Sequence, residues 1–212
     1  MPFEYSCFIS YRHYTEDLGV SFINEFYEAL SGEVEPLTGK KVFIDKERLK
    51  PAYKYNEVLA ESLCRSACLI VIFSPTYFDM DHTYCAREYK AMEKLEKERL
   101  KLLVNPSKPK LSLIIPVIFR GGDQLPSKIK NRIHYADFQN FSMIGPKMQK
   151  HRNFVPKIRE IADYIYNCCL AFDSLDPCRN CSGFALPKDR DIKRFLKGVI
   201  QSRQAFPGRG VI

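Results

Sequence analysis

The run Cys68–Phe73 (CLIVIF) is unbroken in apolar residues, and with Pro75 closing it soon afterwards it specifies a strand buried on both faces. Such a strand needs a helix layer on each side, which commits the chain to a parallel sheet with covered faces. The next segment fits that demand. Past Asp81 or Thr83, either able to cap a helix, Tyr84, Cys85, Ala91, Met92 and Leu95 share one arc at about 100° per residue. Arg87, Lys90, Lys94 and Lys97 take the opposite side, and Glu88 falls in the middle of the apolar arc. A carboxylate turned inward, one turn into a helix and just past the C-terminal end of a buried strand, costs free energy unless something uses it.

The remaining elements alternate around this pair. Tyr5–Ser10 reads as a first strand, with Tyr11, Arg12 and His13 at its C-terminal end, where open α/β sheets place ligand-contacting groups. Leu18, Phe22, Phe26 and Leu30 recur every fourth residue and predict a helix started by Thr15, Glu16 and Asp17. Gly39 separates it from a strand over Lys41–Ile44. Asp45–Glu57 is a long polar loop containing Pro51, before a helix with Val58, Leu59 and Leu63 inward. Later come a strand over Leu111–Phe119 with Pro116 inside it, a short edge strand over Ile133–Phe138, and a helix marked by Val155, Ile158, Ile161, Ala162, Ile165 and Cys169. Five strands alternating with helices specify a parallel sheet with helices on both faces.

Composition narrows the function classes. The net charge of +8 comes from Lys and Arg scattered over helix faces and loops, with no basic stripe interleaved with aromatics, so nucleic acid is disfavoured as a partner. An anionic ligand or self-association explains the charge as well. No apolar stretch approaches the roughly 20 residues of a membrane span, and MPFEYSCFIS lacks the pattern of a secretory leader, so no membrane partner and a cytoplasmic location are expected. Cys7, Cys64, Cys68 and Cys85 fit that expectation as small reduced hydrophobes. Cys168, Cys169, Cys178 and Cys181 leave three readings open: a tetrahedral zinc site, a local redox pair in the C-x-x-C knuckle, or cysteines without a joint role. The adjacency of the first two on a helix weighs against zinc. His13, His82, His134 and His151 show no ligand spacing, and no metal site is expected.

Four motifs in order, FISYRH (Phe8–His13), VFIDKERLKP (Val42–Pro51), LIVIFSPTY (Leu69–Tyr77) and YCAREY (Tyr84–Tyr89), resemble the successive motifs of a Toll/interleukin-1 receptor (TIR) domain over about residues 3 to 172. The resemblance implies a flavodoxin-like three-layer α/β fold, a five-stranded parallel sheet in the order 2-1-3-4-5. It divides the chain into a TIR domain at 1–172 and, at 173–212, a linker and an amphipathic helix with Ile192, Phe195, Leu196 and Val199 on one face. The second motif resembles the family's BB loop, which covers the nucleotide and touches the next subunit. The fourth resembles its W-C-x-x-E helix, with Tyr84 in place of Trp.

Similarity to the catalytic branch implies cleavage of the nicotinamide N-glycosidic bond of NAD+, with Glu88 as the catalytic group and NAD+ as substrate rather than cofactor. A neutral nicotinamide leaves without a general acid, and a fixed carboxylate opposes the oxocarbenium charge on the ribose. By position, the substrate contacts implied are Phe8, Ser10, Tyr11, Arg12, Asp45, Lys46, Arg48, Ser74, Tyr77, Tyr84 and Cys85. Arg12 with Lys46 or Arg48 would offset the pyrophosphate, and Phe8, Tyr11 and Tyr84 would supply walls. A chain of this kind resembles bacterial antiviral enzymes of Thoeris type, whose ADP-ribose-type product, linear or cyclic, a separate effector reads. Two alternatives stand beside it: a non-catalytic scaffold acting through TIR–TIR contacts, in which Glu88 pairs structurally or caps a helix, and a nucleoside-processing enzyme of similar architecture. Cys85 and Glu88 in register argue against the first, and the BB-like block DKERLKP against the second.

Overall fold

The computed structural model describes residues 2–13, 17–45, 55–103, 111–130, 135–141, 147–179 and 181–204, so Lys46, Arg48 and His134 lie outside the described residues. Strands β1 (Tyr5–Tyr11), β2 (Val42–Ile44), β3 (Ser66–Phe73), β4 (Ile114–Ile118) and β5 (Ala136–Asp137) form one parallel sheet. Its order is β2-β1-β3-β4-β5, as expected. All eight residues of β3 are buried, which is why its apolar run carries no alternation. The helices are α1 (Asp17–Thr38), α2 (Tyr55–Cys64), α3 (Tyr84–Leu100), α4 (Ser127–Lys130), α5 (Phe154–Ala171) and α6 (Asp189–Gln204). α1 and α5 pack together on one face, and α2 and α3 on the other, as right-handed crossovers require. α6 rests on α3.

Pro116 sits inside β4 without loss of a ladder bond. Leu113 O accepts from Leu69 N and Phe119 N donates to Phe73 O, so the odd-numbered residues of β4 face β3 and Pro116 faces the β5 side. There the pairing begins only at Val117.

Several expectations are corrected. Leu18 and Val58 are exposed, because each is turned about 100° from the buried residue that follows it, Gly19 and Leu59, and so falls off the covered side of its helix. The polar loop ends sooner than Glu57, with α2 beginning at Tyr55, and a one-turn helix, α4, follows Pro126. Thr83 precedes α3 but its hydroxyl makes no cap bond; it donates instead to Asp189 Oδ1 at 3.3 Å. Cys64 is not a reduced thiol: it forms a disulfide with Cys181. That bond also removes the zinc reading, since Cys168 and Cys169 are buried in α5 on the opposite face. Among the described residues no group of three or more His, Cys, Asp or Glu is arranged to hold a metal.

Two charged residues of α3 were not singled out, although they continue the arc of Glu88 at the eighth and eleventh positions after it. Glu96 is buried and its Oε1 accepts from Ser112 Oγ (2.7 Å) and Leu113 N (2.8 Å). Arg99 is buried too and donates to the carbonyls of Ser66 and Cys64, with its guanidinium 4.9 Å from the centre of the Phe3 ring. Burial pulls Arg99 down to about 10, which still leaves it charged at neutral pH. Together they seal backbone groups around the N-terminal ends of β3 and β4. Glu96→Ala strands the Leu113 N–H in the interior, and the expected loss is about 2 kcal/mol in chemical denaturation, while Glu96→Gln keeps an acceptor and loses less.

Candidate functional site

The C-terminal end of β1 meets the first turn of α3. Alternation along β1 puts Phe8 and Ser10 on one face, and Ser10 reaches α3. Cys85 Sγ lies 3.3 Å from Tyr11 O and fixes the start of the helix against the end of the strand. One turn further along the helix, Glu88 is 6% exposed, and its Oε2 accepts from Ser10 Oγ at 2.5 Å. Ser10 Oγ is in turn 2.6 Å from the Tyr77 hydroxyl, which is fully buried and lies 3.5 Å from Cys85 O.

Proton counting sets the direction of this chain. An ionised Glu88 only accepts, so the single Ser10 proton goes to it and Tyr77 donates to Ser10. Burial, followed by the negative charge of Cys85 and Glu88 in their ionised forms, raises the Tyr77 phenol well above its ordinary range and keeps it a neutral donor. A series of polarised O–H groups thus ends on one carboxylate oxygen in a dry setting. Such a carboxylate is held in place and faces any positive charge that develops beside it.

Around this centre lies a more open rim. Tyr11 stacks on His13 with ring centroids 4.7 Å apart, and its O–H donates to Asp45 O at 2.9 Å. His13 Nε2 is 4.0 Å from Asp45 Oδ2. Arg12 NH2 stands 3.9 Å from Asp79 Oδ2, a carboxylate that His82 Nδ1 approaches at 3.6 Å. Ser74 is buried with its Oγ 3.2 Å from Thr76 Oγ1. Tyr84 is half-buried and carries the Arg87 guanidinium over its ring at 5.2 Å.

The structure therefore brings Ser10, Tyr77, Cys85 and Glu88 together. Tyr11, Arg12 and Asp45 lie at the rim, and Ser74 and Tyr84 flank it. Phe8 belongs to the core: it is 1% exposed and stacks on Phe43 at 4.9 Å, so it supports Ser10 from below rather than presenting a ring to a ligand. Lys46 and Arg48 lie outside the described residues. Sequence reading missed Asp79 as a rim group, and it placed His13 at this end of the strand without counting it among the contacts. For His13 the signal was available, because Tyr11 and His13 are two apart on extended chain and so share a face.

The family model for the TIR domain matches residues 7–148. The chain belongs to the TIR domain family. The matched stretch includes the whole of the Ser10, Tyr77, Cys85 and Glu88 cluster, so the constellation lies inside the TIR domain and the segment bearing α6 follows it. Among solved structures the chain is similar to the TIR domains in "Structure of the activated Roq1 resistosome directly recognizing the pathogen effector XopQ". That likeness is 18% in identity with a TM-score of 0.41, over 92% of this chain and 98% of the other. No curated protein matches the chain.

The hydrogen-bonded series ranks two substitutions. Ser10→Ala removes the donor that touches the buried carboxylate and is expected to cost about 2 kcal/mol in urea unfolding at pH 7. Tyr77→Phe keeps the ring and removes the outer donor, at about 1 kcal/mol. Equal costs, or a larger one for Tyr77→Phe, would show that Ser10 is not the group that holds Glu88.

Proposed function

We propose that this TIR domain cleaves the bond between nicotinamide and ribose in NAD+, with Glu88 opposing the positive charge that forms on the ribose. The observation that carries the reading is the Glu88 carboxylate in a Cys85-x-x-Glu88 turn, buried at the C-terminal end of β1 and held by the Ser10 hydroxyl. Departure of neutral nicotinamide needs no proton donor, and the site's chemistry suits that. Its innermost group is an anion backed by hydroxyls, and its rim carries aromatic rings at Tyr11 and Tyr84 with a guanidinium at Arg12 for the pyrophosphate. Arg12 exchanges its loose contact with Asp79 for the phosphate oxygens when substrate binds. Water or a second atom of the nucleotide then captures the ribose, giving linear or cyclic ADP-ribose, a diffusible signal for a separate effector. Self-association through TIR–TIR contacts sets the active state.

The scaffold reading has one observation in its favour: at 6% exposure Glu88 is as enclosed as many structural carboxylates. The two readings separate in one assay. Purified protein is incubated with NAD+ over a range of protein concentrations, and nicotinamide and the ADP-ribose products are identified by mass spectrometry. Glu88→Gln keeps size and hydrogen bonding but removes the charge, and the expected loss of rate is about a hundredfold or more, with self-association unchanged in sedimentation. Undiminished cleavage by Glu88→Gln would remove Glu88 from the chemistry, and no cleavage by the parent at any concentration would leave the scaffold.

A further inference from the structure

At the end of the sheet opposite Glu88, three cysteines and one buried guanidinium converge where the C-terminal segment meets the body. Cys64, the last residue of α2, is bonded to Cys181 across 117 residues of sequence, with Cα atoms 5.4 Å apart. Cys178 is a free, half-buried thiol whose Sγ lies 3.7 Å from Cys64 O. It stands three residues before Cys181 in a turn closed by Cys181 N–H to Cys178 O at 3.0 Å. A turn of that kind holds its end Cα atoms within about 7 Å, close to the separations that a disulfide spans. Cys181 therefore has two sulfurs within reach, its present partner Cys64 and the free Cys178.

Arg99 supplies the charge that an exchange between them needs. It is 2% exposed, it donates to the carbonyls of Ser66 and Cys64, and its Nε–H has no hydrogen-bond acceptor among the described residues. A buried cation with a donor to spare favours a thiolate formed beside it. A cleft of about 700 Å3 opens onto Cys64 and Arg99, walled in part by Glu98, Asp176 and Arg179, the last adjacent in sequence to Cys178.

We propose that Cys64, Cys178 and Cys181 form a thiol–disulfide exchange site that ties the C-terminal segment to the body and unties it. Cys178 loses its proton to solvent base, and its thiolate attacks the Cys181 sulfur. The Cys178–Cys181 bond forms as the Cys64–Cys181 bond breaks, and the electron pair leaves on the Cys64 sulfur, which takes a proton from water. One disulfide and one thiol are present before and after, so no oxidant or reductant enters. In the exchanged form α6 keeps only non-covalent contacts, among them Phe195 against Phe78 and Tyr89 at 5.6 and 5.9 Å, Thr83 Oγ1 to Asp189 Oδ1 at 3.3 Å, and Arg87 Nε to Pro187 O at 2.9 Å.

The exchange has a pH dependence of stated sign. Burial pushes the Cys178 thiol up, Arg99 and Arg65 pull it down, and Asp176 pushes it up, leaving it above the ordinary thiol range. Its thiolate is scarce at neutral pH and grows as pH rises, so exchange accelerates in that direction.

The test uses the full chain in its disulfide-bonded form. It is held at pH 7 and at about two units higher, quenched with acid and alkylated, and its linkages are read by non-reducing peptide mass spectrometry. The expected result is Cys64–Cys181 at the start and a growing share of Cys178–Cys181 with alkylated Cys64, at an initial rate rising about tenfold per pH unit. Hydrogen exchange over residues 189–204 should rise about tenfold or more with it. Cys178→Ser should keep Cys64–Cys181 alone at every pH. Cys64→Ser, treated with oxidised glutathione, should close Cys178–Cys181 directly. The proposal is overturned if Cys178 is recovered fully alkylated beside an unchanged Cys64–Cys181 bond at both pH values. It is equally overturned if Cys178→Ser frees Cys64 as fast as the parent, or if Cys64→Ser leaves Cys178 and Cys181 unlinked.

Discussion

The burial of β3 on both faces makes every backbone group near it dependent on a partner, because water reaches none of them. Along the strand the ladders with β1 and β4 meet that need. At its N-terminal end the neighbouring carbonyls of Cys64 and Ser66 face no strand, and Arg99 takes both, while Glu96 takes the Leu113 N–H beside β4. α3 is thereby fixed to the sheet at its far end by two charges and at its near end by Cys85 and Glu88. The placement of Glu88 over Ser10 is a consequence of that registration. A shift of one residue along the helix would turn Glu88 by about 100° and break the Glu96 and Arg99 bonds together.

Much of this arrangement was legible because its signals are periodic. The unbroken run Cys68–Phe73 has one structural meaning, and the arc from Cys85 to Leu95 puts Glu88 inward whatever the rest of the chain does. What escaped was long-range pairing. That Glu96 and Arg99 lie on the same arc was open to the same arithmetic, but which carbonyls they seal depends on where β4 and α2 end. The disulfide was hidden for a similar reason: Cys64 stands in an apolar helical context that reads as a packed thiol, and Cys181 becomes its neighbour only when the chain returns. Leu18 and Val58 show the opposite failure, apolar residues at the margin of an amphipathic pattern that the covered arc of the helix does not include.

The C-terminal segment extends the same logic to the outer side of α3. Ile192, Leu196 and Val199 are buried, and Phe195 lies between Phe78, Tyr89 and the Lys90 ammonium. α3 is thus enclosed between the sheet and α6. This explains why Tyr89, packed against Phe78 and Phe195, is itself only 2% exposed.

The outer margin of β4 has a bearing on how copies of the chain can meet. Below the short β5, the outward-facing groups are those of Ile114 and Pro116. Ile114 N–H is taken by Ser112 Oγ at 3.3 Å, the hydroxyl whose own proton goes to Glu96, and proline offers no N–H at all. Among the described residues this stretch offers a visiting strand no backbone N–H, and its residues are buried, so the sheet is closed to extension there. Growth of a continuous intermolecular sheet, the route by which flat parallel sheets aggregate, is blocked at that margin by one serine and one proline.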